Sequence, residues 1–259
     1  QMCIRDSYTL AKRDVEFFDS WRENIQNKLE KKLPGYEVGI TSFSKDETKA
    51  VVVTYSDKSR GTYYYYNVEN DKLTELGKIS PWLNEDHMAE MKPITYKSRD
   101  GLTIHGYLTL PKGSDGKNLP VVVNPHGGPW ARDTWGYRPE IQFLANRGYA
   151  VFQMNFRGST GYGRKFWEIS FKEWGKSMQD DITDGVQWLM SKGIADPDRI
   201  AIYGASYGGY ATLAGLAFTP ELYACGVDYV GVSSLFTFME SIPPYCELYR
   251  AMIYEMVWH

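Results

Sequence analysis

The stretch Ile200-Ala201-Ile202-Tyr203-Gly204-Ala205-Ser206-Tyr207-Gly208-Gly209-Tyr210 decides the fold. An apolar run feeds without a spacer into Gly-x-Ser-x-Gly, and a helix-compatible run over 207–218 follows at once. A serine at such a turn must take a strained backbone to expose its hydroxyl. Gly204 and Gly208 keep strand and helix free to pack closely on either side. The first N–H groups of the helix and its positive dipole end then sit where negative charge develops in acyl transfer. The five-residue motif alone also describes a phosphate-binding turn. The strand before it and the helix after it select a nucleophile elbow.

Reading outward, short apolar strands are expected at 121–124, 149–155, 199–203 and 225–231, with helices at 137–146, 181–192 and 207–218. Alternation of this kind makes a parallel sheet with helices on both faces, the helices supplying the crossovers. Two strands, 94–97 and 102–110, precede it, joined by Ser98-Arg99-Asp100-Gly101, a hairpin signal. The strand at 121–124 runs into Asn124-Pro125-His126-Gly127-Gly128-Pro129-Trp130. Hydrolases place their second oxyanion donor on the loop at this point, so the N–H groups of Gly128 and Tyr207 are the expected pair. Each such donor contributes ~3–4 kcal/mol of transition-state stabilisation. His126 belongs to that loop and is not the expected base. The Asp180-Asp181 pair reads as a helix start, where carboxylates cap and oppose the dipole, and not as a metal site.

The first third of the chain has a different texture. Residues 14–33 carry Phe17, Trp21, Ile25, Leu29 and Leu33 at helical spacing, and Pro34-Gly35 stops that helix. Runs at 51–55 and 62–66 are β-branched and aromatic, with turns at 56–61 and Asn70-Asp71. Alternate residues of Tyr63 to Tyr66 face opposite sides, so half are packing. This suits one blade of a propeller or a small meander, and a single blade cannot bury both faces. Residues 81–92 read as a polar connector.

The expected fold is therefore α/β: a truncated α/β-hydrolase with a mostly parallel sheet, preceded by the β-rich end of a β-propeller. Residues 1–7 resemble a translated sequencing adapter. Residues 8–90 are read as the last part of the propeller with its connector, and 91–259 as the first two-thirds of the hydrolase domain. The 247–257 helix lacks a capping Gly or Pro, and a cut at both ends is expected. Missing strands would leave an apolar edge open and favour an aggregated or loosely packed state.

Composition narrows the function classes. The chain has 29 basic against 32 acidic residues, net −3. Such a balance has no bulk attraction for nucleic acid. No apolar run approaches the ~18 residues of a membrane span. With 3 Cys and no Cys-x-x-Cys, neither a disulfide framework nor a zinc motif is expected. No cofactor and no metal site are suggested.

The motifs together resemble the prolyl oligopeptidase family of serine peptidases, in its acylaminoacyl-peptidase and dipeptidyl-peptidase branches. They are His126-Gly127-Gly128-Pro129, Asn155-Phe156-Arg157-Gly158-Ser159-Thr160-Gly161-Tyr162-Gly163, Asp180-Asp181 before Trp188, Asp196-Pro197-Asp198-Arg199, and Gly204 to Tyr210. The resemblance covers residues 91–259, and more weakly 36–90. It implies a short peptide as substrate, Ser206 as nucleophile, and Val232, Leu235 and Phe238 as an apolar S1 wall, where plain core packing is an equal reading. Trp130 and Tyr162 are read as structural, and Arg157 as holding its loop through nearby carbonyls, with a substrate role as the lesser alternative. The family's triad runs Ser, Asp, His, and neither its Gly-x-x-Asp nor its Gly-His-Gly loop occurs after Ser206. His87 and His105 precede the sheet's crossovers, and His259 is the last residue. The resemblance thus implies a peptidase parent and an inactive 259-residue chain. A carboxylesterase and a non-catalytic hydrolase-like binding protein are the alternatives. Oligomerisation of the parent and its location, cytoplasmic or exported, are left open.

Overall fold

Val15 and Phe17 lie in a segment that pairs before any helix begins. In the computed structural model, which describes residues 5–9, 11–242 and 250–257, β1 (Arg5–Thr9) and β2 (Arg13–Phe17) form an antiparallel hairpin. Helix α1 (Ser20–Lys32) starts only after Asp19, whose carboxylate accepts from Arg22 N at 2.8 Å. The helix expected over 14–33 is therefore shorter at its start. The Asp19 cap ends the extended segment, and residues 13–17 go to the hairpin.

Next come β3 (Glu37–Phe43), β4 (Lys49–Tyr55), β5 (Thr62–Asn67) and β6 (Lys72–Lys78). They make a four-stranded antiparallel meander in sequence order, the unit from which propellers are built. One face is covered by α1, whose Ile25 and Leu29 pack with Ala50, Val52 and Tyr66. Tyr66 is fully buried while Tyr63 is 42% exposed, as the two-residue period of a strand requires.

The second body contains β7 (Met91–Lys97), β8 (Thr103–Thr109), β9 (Leu119–Val123), α2 (Pro139–Asn146), β10 (Ala150–Asn155), α3 (Arg164–Glu168), α4 (Ser177–Ser191), β11 (Ala195–Ala205), α5 (Tyr207–Phe218), β12 (Cys225–Tyr229), α6 (Leu235–Glu240) and α7 (Arg250–Val257). Its sheet order is β12-β11-β9-β10-β8-β7. Strands β9, β10, β11 and β12 pair in parallel, and β8 is antiparallel to both β10 and β7. Strand β12 lies at the sheet edge, with Tyr229 and the following Val230 exposed.

The core of this body is built around β9, β10 and β11, with Phe152, Met154, Ile182, Val186, Leu189, Ile200 and Ile202 all fully buried. Phe152 fits a notch left by Gly185 of α4, where a Cβ would come within 2.7 Å of its ring. Truncating Phe152 to Ala removes the ring and cannot refill the notch. The expected cost is about 3–5 kcal/mol, read as a lower denaturant midpoint with an unchanged slope.

The two bodies meet through backbone groups held by side chains. Gln142 of α2 accepts from Ala89 N and donates to the carbonyls of Ala89 and Asp57, each at 2.8 Å. The Asp57 carboxylate accepts from Met91 N at 2.7 Å. No helix among the described residues is long and apolar enough to cross a membrane.

Candidate active site

Ser206 sits between the end of β11 and the first residue of α5, with φ 58° and ψ −119°. A non-glycine residue in this region carries strain of about 1–3 kcal/mol, which persists only where the surroundings enforce it. Here they do. Ser206 N donates to Tyr229 O at 3.0 Å, and Ser206 O accepts from Tyr210 N at 3.0 Å. A Cβ on Gly204 would lie 2.3 Å from Gly208 O, and one on Gly208 would lie 2.3 Å from Pro125 O. The glycines are thus required by backbone packing on both sides of the turn. Ser206 is exposed.

The loop after β9 packs directly on this turn. A Cβ on Gly127 would be 3.2 Å from Ala205 O and 3.6 Å from Ser206 Cβ. Asn124 Nδ2 donates to Tyr203 O at 2.7 Å and ties the ends of β9 and β11 together. His126 Nδ1 lies 2.8 Å from Gly127 O. A carbonyl only accepts, so Nδ1 carries the proton, and Nε2 faces the Ser159 hydroxyl at 2.8 Å. Burial holds the imidazole below its ordinary pKa, against the attraction of Asp133. A peptide unit is planar, with C=O and N–H pointing opposite ways. By holding Gly127 C=O, His126 turns the Gly128 N–H away from itself. Neither Gly128 N–H nor Tyr207 N–H has an acceptor among the described residues.

Two of the three described imidazoles are engaged elsewhere. His105 stacks on Tyr162 at 4.8 Å, His126 is held as described, and His87 lies in the exposed connector. None hydrogen-bonds Ser206, and His259 lies outside the described residues, as do Cys3 and Cys246. Of the apolar trio, Phe238 stacks on Trp174 at 6.2 Å and Leu235 packs against the core. Val232 is half-buried just beyond β12. Trp174 in turn meets the Tyr207 ring edge-on at 4.6 Å, so Phe238 joins an aromatic wall that reaches the elbow. Among the described residues no group of three or more His, Cys, Asp or Glu could hold a metal ion.

Two expectations change. Asp181 does not cap a helix, because α4 begins at Ser177. Its carboxylate is fully buried and accepts from Arg157 N, Nε and Nη2 at 2.8, 2.9 and 2.7 Å. Arg157 accordingly holds its loop through carboxylates, Asp181 and also Asp100 at 2.8 Å, and not through carbonyls. Asp228 was not singled out by sequence. Its Oδ1 accepts from Gly231 N at 2.9 Å and closes the turn behind Gly209. The Asp-x-x-Gly spacing is the only local signal for it.

Numbered along the chain from β7, the sheet order is 1-2-4-3-5-6, and a strained serine stands at the carboxyl end of the fifth strand. That combination defines an α/β-hydrolase fold. Residues 135–254 match the model of the prolyl oligopeptidase family, and over that stretch the chain belongs to it. It is 44% identical over 225 residues to dipeptidyl aminopeptidase BIII of Pseudoxanthomonas mexicana, covering 84% of this chain and 32% of that one. It is 37% identical over 260 residues to dipeptidyl peptidase family member 6 of Caenorhabditis elegans, covering 92% and 35%. Among solved structures, a puromycin-hydrolysing peptidase of Mycobacterium tuberculosis superposes with a TM-score of 0.70 at 27% identity, over 82% of this chain and 33% of that one. The acylaminoacyl peptidase of Pyrococcus horikoshii gives 0.69 at 25%, over 85% and 34%. The chain spans about a third of the length of the curated relatives it matches.

Proposed function

We propose that the longer protein containing these residues is a serine peptidase that hydrolyses short peptides, with Ser206 as its nucleophile. In this reading residues 8–90 are the end of a β-propeller and its connector, and 91–259 the first two-thirds of the peptidase domain. Ser206 Oγ attacks the scissile carbonyl carbon while its proton passes to an imidazole base. The carbonyl π pair moves onto oxygen, and the N–H groups of Gly128 and Tyr207 receive the charge. Collapse breaks the C–N bond, the imidazolium protonates the leaving amine, and water then hydrolyses the acyl-enzyme by the same route. Val232, Leu235 and Phe238 line the pocket for the residue before the cut. The observation that carries the reading is the strained Ser206, with the Gly127-Gly128 loop packed against it.

The triad imidazole and carboxylate are assigned to the remainder of the longer protein, since none of His87, His105 and His126 hydrogen-bonds Ser206. The polypeptide of these 259 residues is then expected to show no peptide turnover, because an unassisted serine hydroxyl is a weak nucleophile. The test compares the full gene product with the 259-residue polypeptide on aminoacyl- and acyl-peptide chromogenic substrates. Turnover by the former alone, with Ser206 labelled by a fluorophosphonate, is the expected result. A full-length protein that turns over none of them and leaves Ser206 unlabelled overturns the reading. A preference for short acyl esters over peptides would make it a carboxylesterase instead.

A further inference from the structure

Asp181 and Arg157 lie behind the candidate site, on α4 and on the turn after β10, and neither reaches the serine. Arg157 is 6% exposed and Asp181 0%, so a substrate cannot touch this pair. The turn that Arg157 belongs to, 155–160, meets the loop carrying Gly128 at four points. Asn155 brackets Asp133, accepting from its N at 2.8 Å and donating to its O at 3.1 Å. Phe156 stacks on the His126 ring at 4.3 Å. Ser159 Oγ faces His126 Nε2 at 2.8 Å, and Thr160 N donates to Ala131 O at 2.9 Å. Asp181 also fixes the turn's backbone directly, through Arg157 N. Burial works against the Arg157 charge, but the hydrogen bonds and attraction of Asp181 and Asp100 outweigh it, so the guanidinium is held protonated.

We infer that Arg157 and Asp181 are positioning residues for the oxyanion loop. The pair fixes the 155–160 turn, the turn fixes the His126 ring, and the ring fixes the Gly127–Gly128 peptide plane. The inference rests on the roles proposed for Ser206 and Gly128. An interior ion pair adds little net stability compared with apolar packing, which makes a positional use of it physically reasonable. A lysine keeps the charge but loses the planar fork that bonds one carboxylate twice.

The test uses the full-length protein with Arg157→Lys, Asp181→Asn and Ser159→Ala. Ser159→Ala cuts the turn from His126 without disturbing the ion pair, and serves where either of the others fails to fold. Each folded variant is expected to lose about 10- to 100-fold in kcat, a part of what deleting an oxyanion donor costs. KM should stay within about threefold, and inhibition by a peptide boronate, a tetrahedral analogue, should weaken in step with kcat/KM. Amide exchange should accelerate over 126–133 and stay unchanged over 20–32. Folded variants with unchanged kcat and unchanged exchange at 126–133 overturn the inference, as does exchange that accelerates equally in both regions. An inactive unsubstituted protein would overturn the functional reading alone, because the exchange comparison still decides the role of the pair.

Discussion

Ser206→Ala is expected to lower kcat/KM for peptides by a factor on the order of 10⁴–10⁶ while leaving the fold intact. The effect is large because, among the described residues, the polar groups nearest the elbow are committed elsewhere. Asp228 is committed to Gly231 N, and the His126 ring is held by Gly127 O and Ser159. Stability should barely change, since alanine keeps the Cβ and with it the cost of φ 58°. Ser206→Gly separates the two properties. It removes the hydroxyl and also the Cβ, and should raise stability by about 1 kcal/mol or more as the strain is relieved. Both variants should lose turnover, but only the glycine variant should gain in melting temperature, by a few degrees. Steady-state kinetics beside calorimetry of the full-length protein checks this. A Ser206→Ala protein with more than a hundredth of the parental kcat/KM would remove Ser206 from the mechanism.

The sequence made the elbow legible because its signals are local. A strand, a glycine-flanked serine and a helix follow one another within a few residues, and each leaves a compositional trace. The parallel strands were legible for the same reason, as short apolar runs set between helical ones. What lay beyond reading were pairings made across the chain. An aspartate near a helix start is equally good as a cap and as a buried partner, and nothing near Asp181 says that Arg157 will claim it. Backbone packing is similarly silent: glycine spacing suggests close approach but does not say that Gly208 meets Pro125. The helix expected over 14–33 failed at residues 14–19 because Phe17, one helical step before Trp21, also suits a strand, and pairing with β1 and the Asp19 cap decided between them.

The Gly208 contact yields the second large effect. Glycine inside a helix normally costs about 1 kcal/mol relative to alanine, so on propensity alone Gly208→Ala should stabilise α5. The structure reverses the sign. The added methyl would stand 2.3 Å from Pro125 O and 3.2 Å from Pro125 C, and both are backbone atoms that cannot rotate aside. Either the helix start or the 125–128 loop must shift. Overpacking costs about 1–3 kcal/mol, and against a backbone segment the upper part of that range is expected. Activity should fall further than stability, because the displaced loop carries Gly128 and the displaced turn carries Ser206. A loss in kcat of at least about 100-fold is expected from misplacing reacting groups by about an ångström. Gly77→Ala is the matched control, since a Cβ there meets nothing within 4 Å, and it should leave stability within about 0.5 kcal/mol. Should Gly208→Ala prove as stable and as active as Gly77→Ala, the close packing of the oxyanion loop on the elbow would not be what holds the site together.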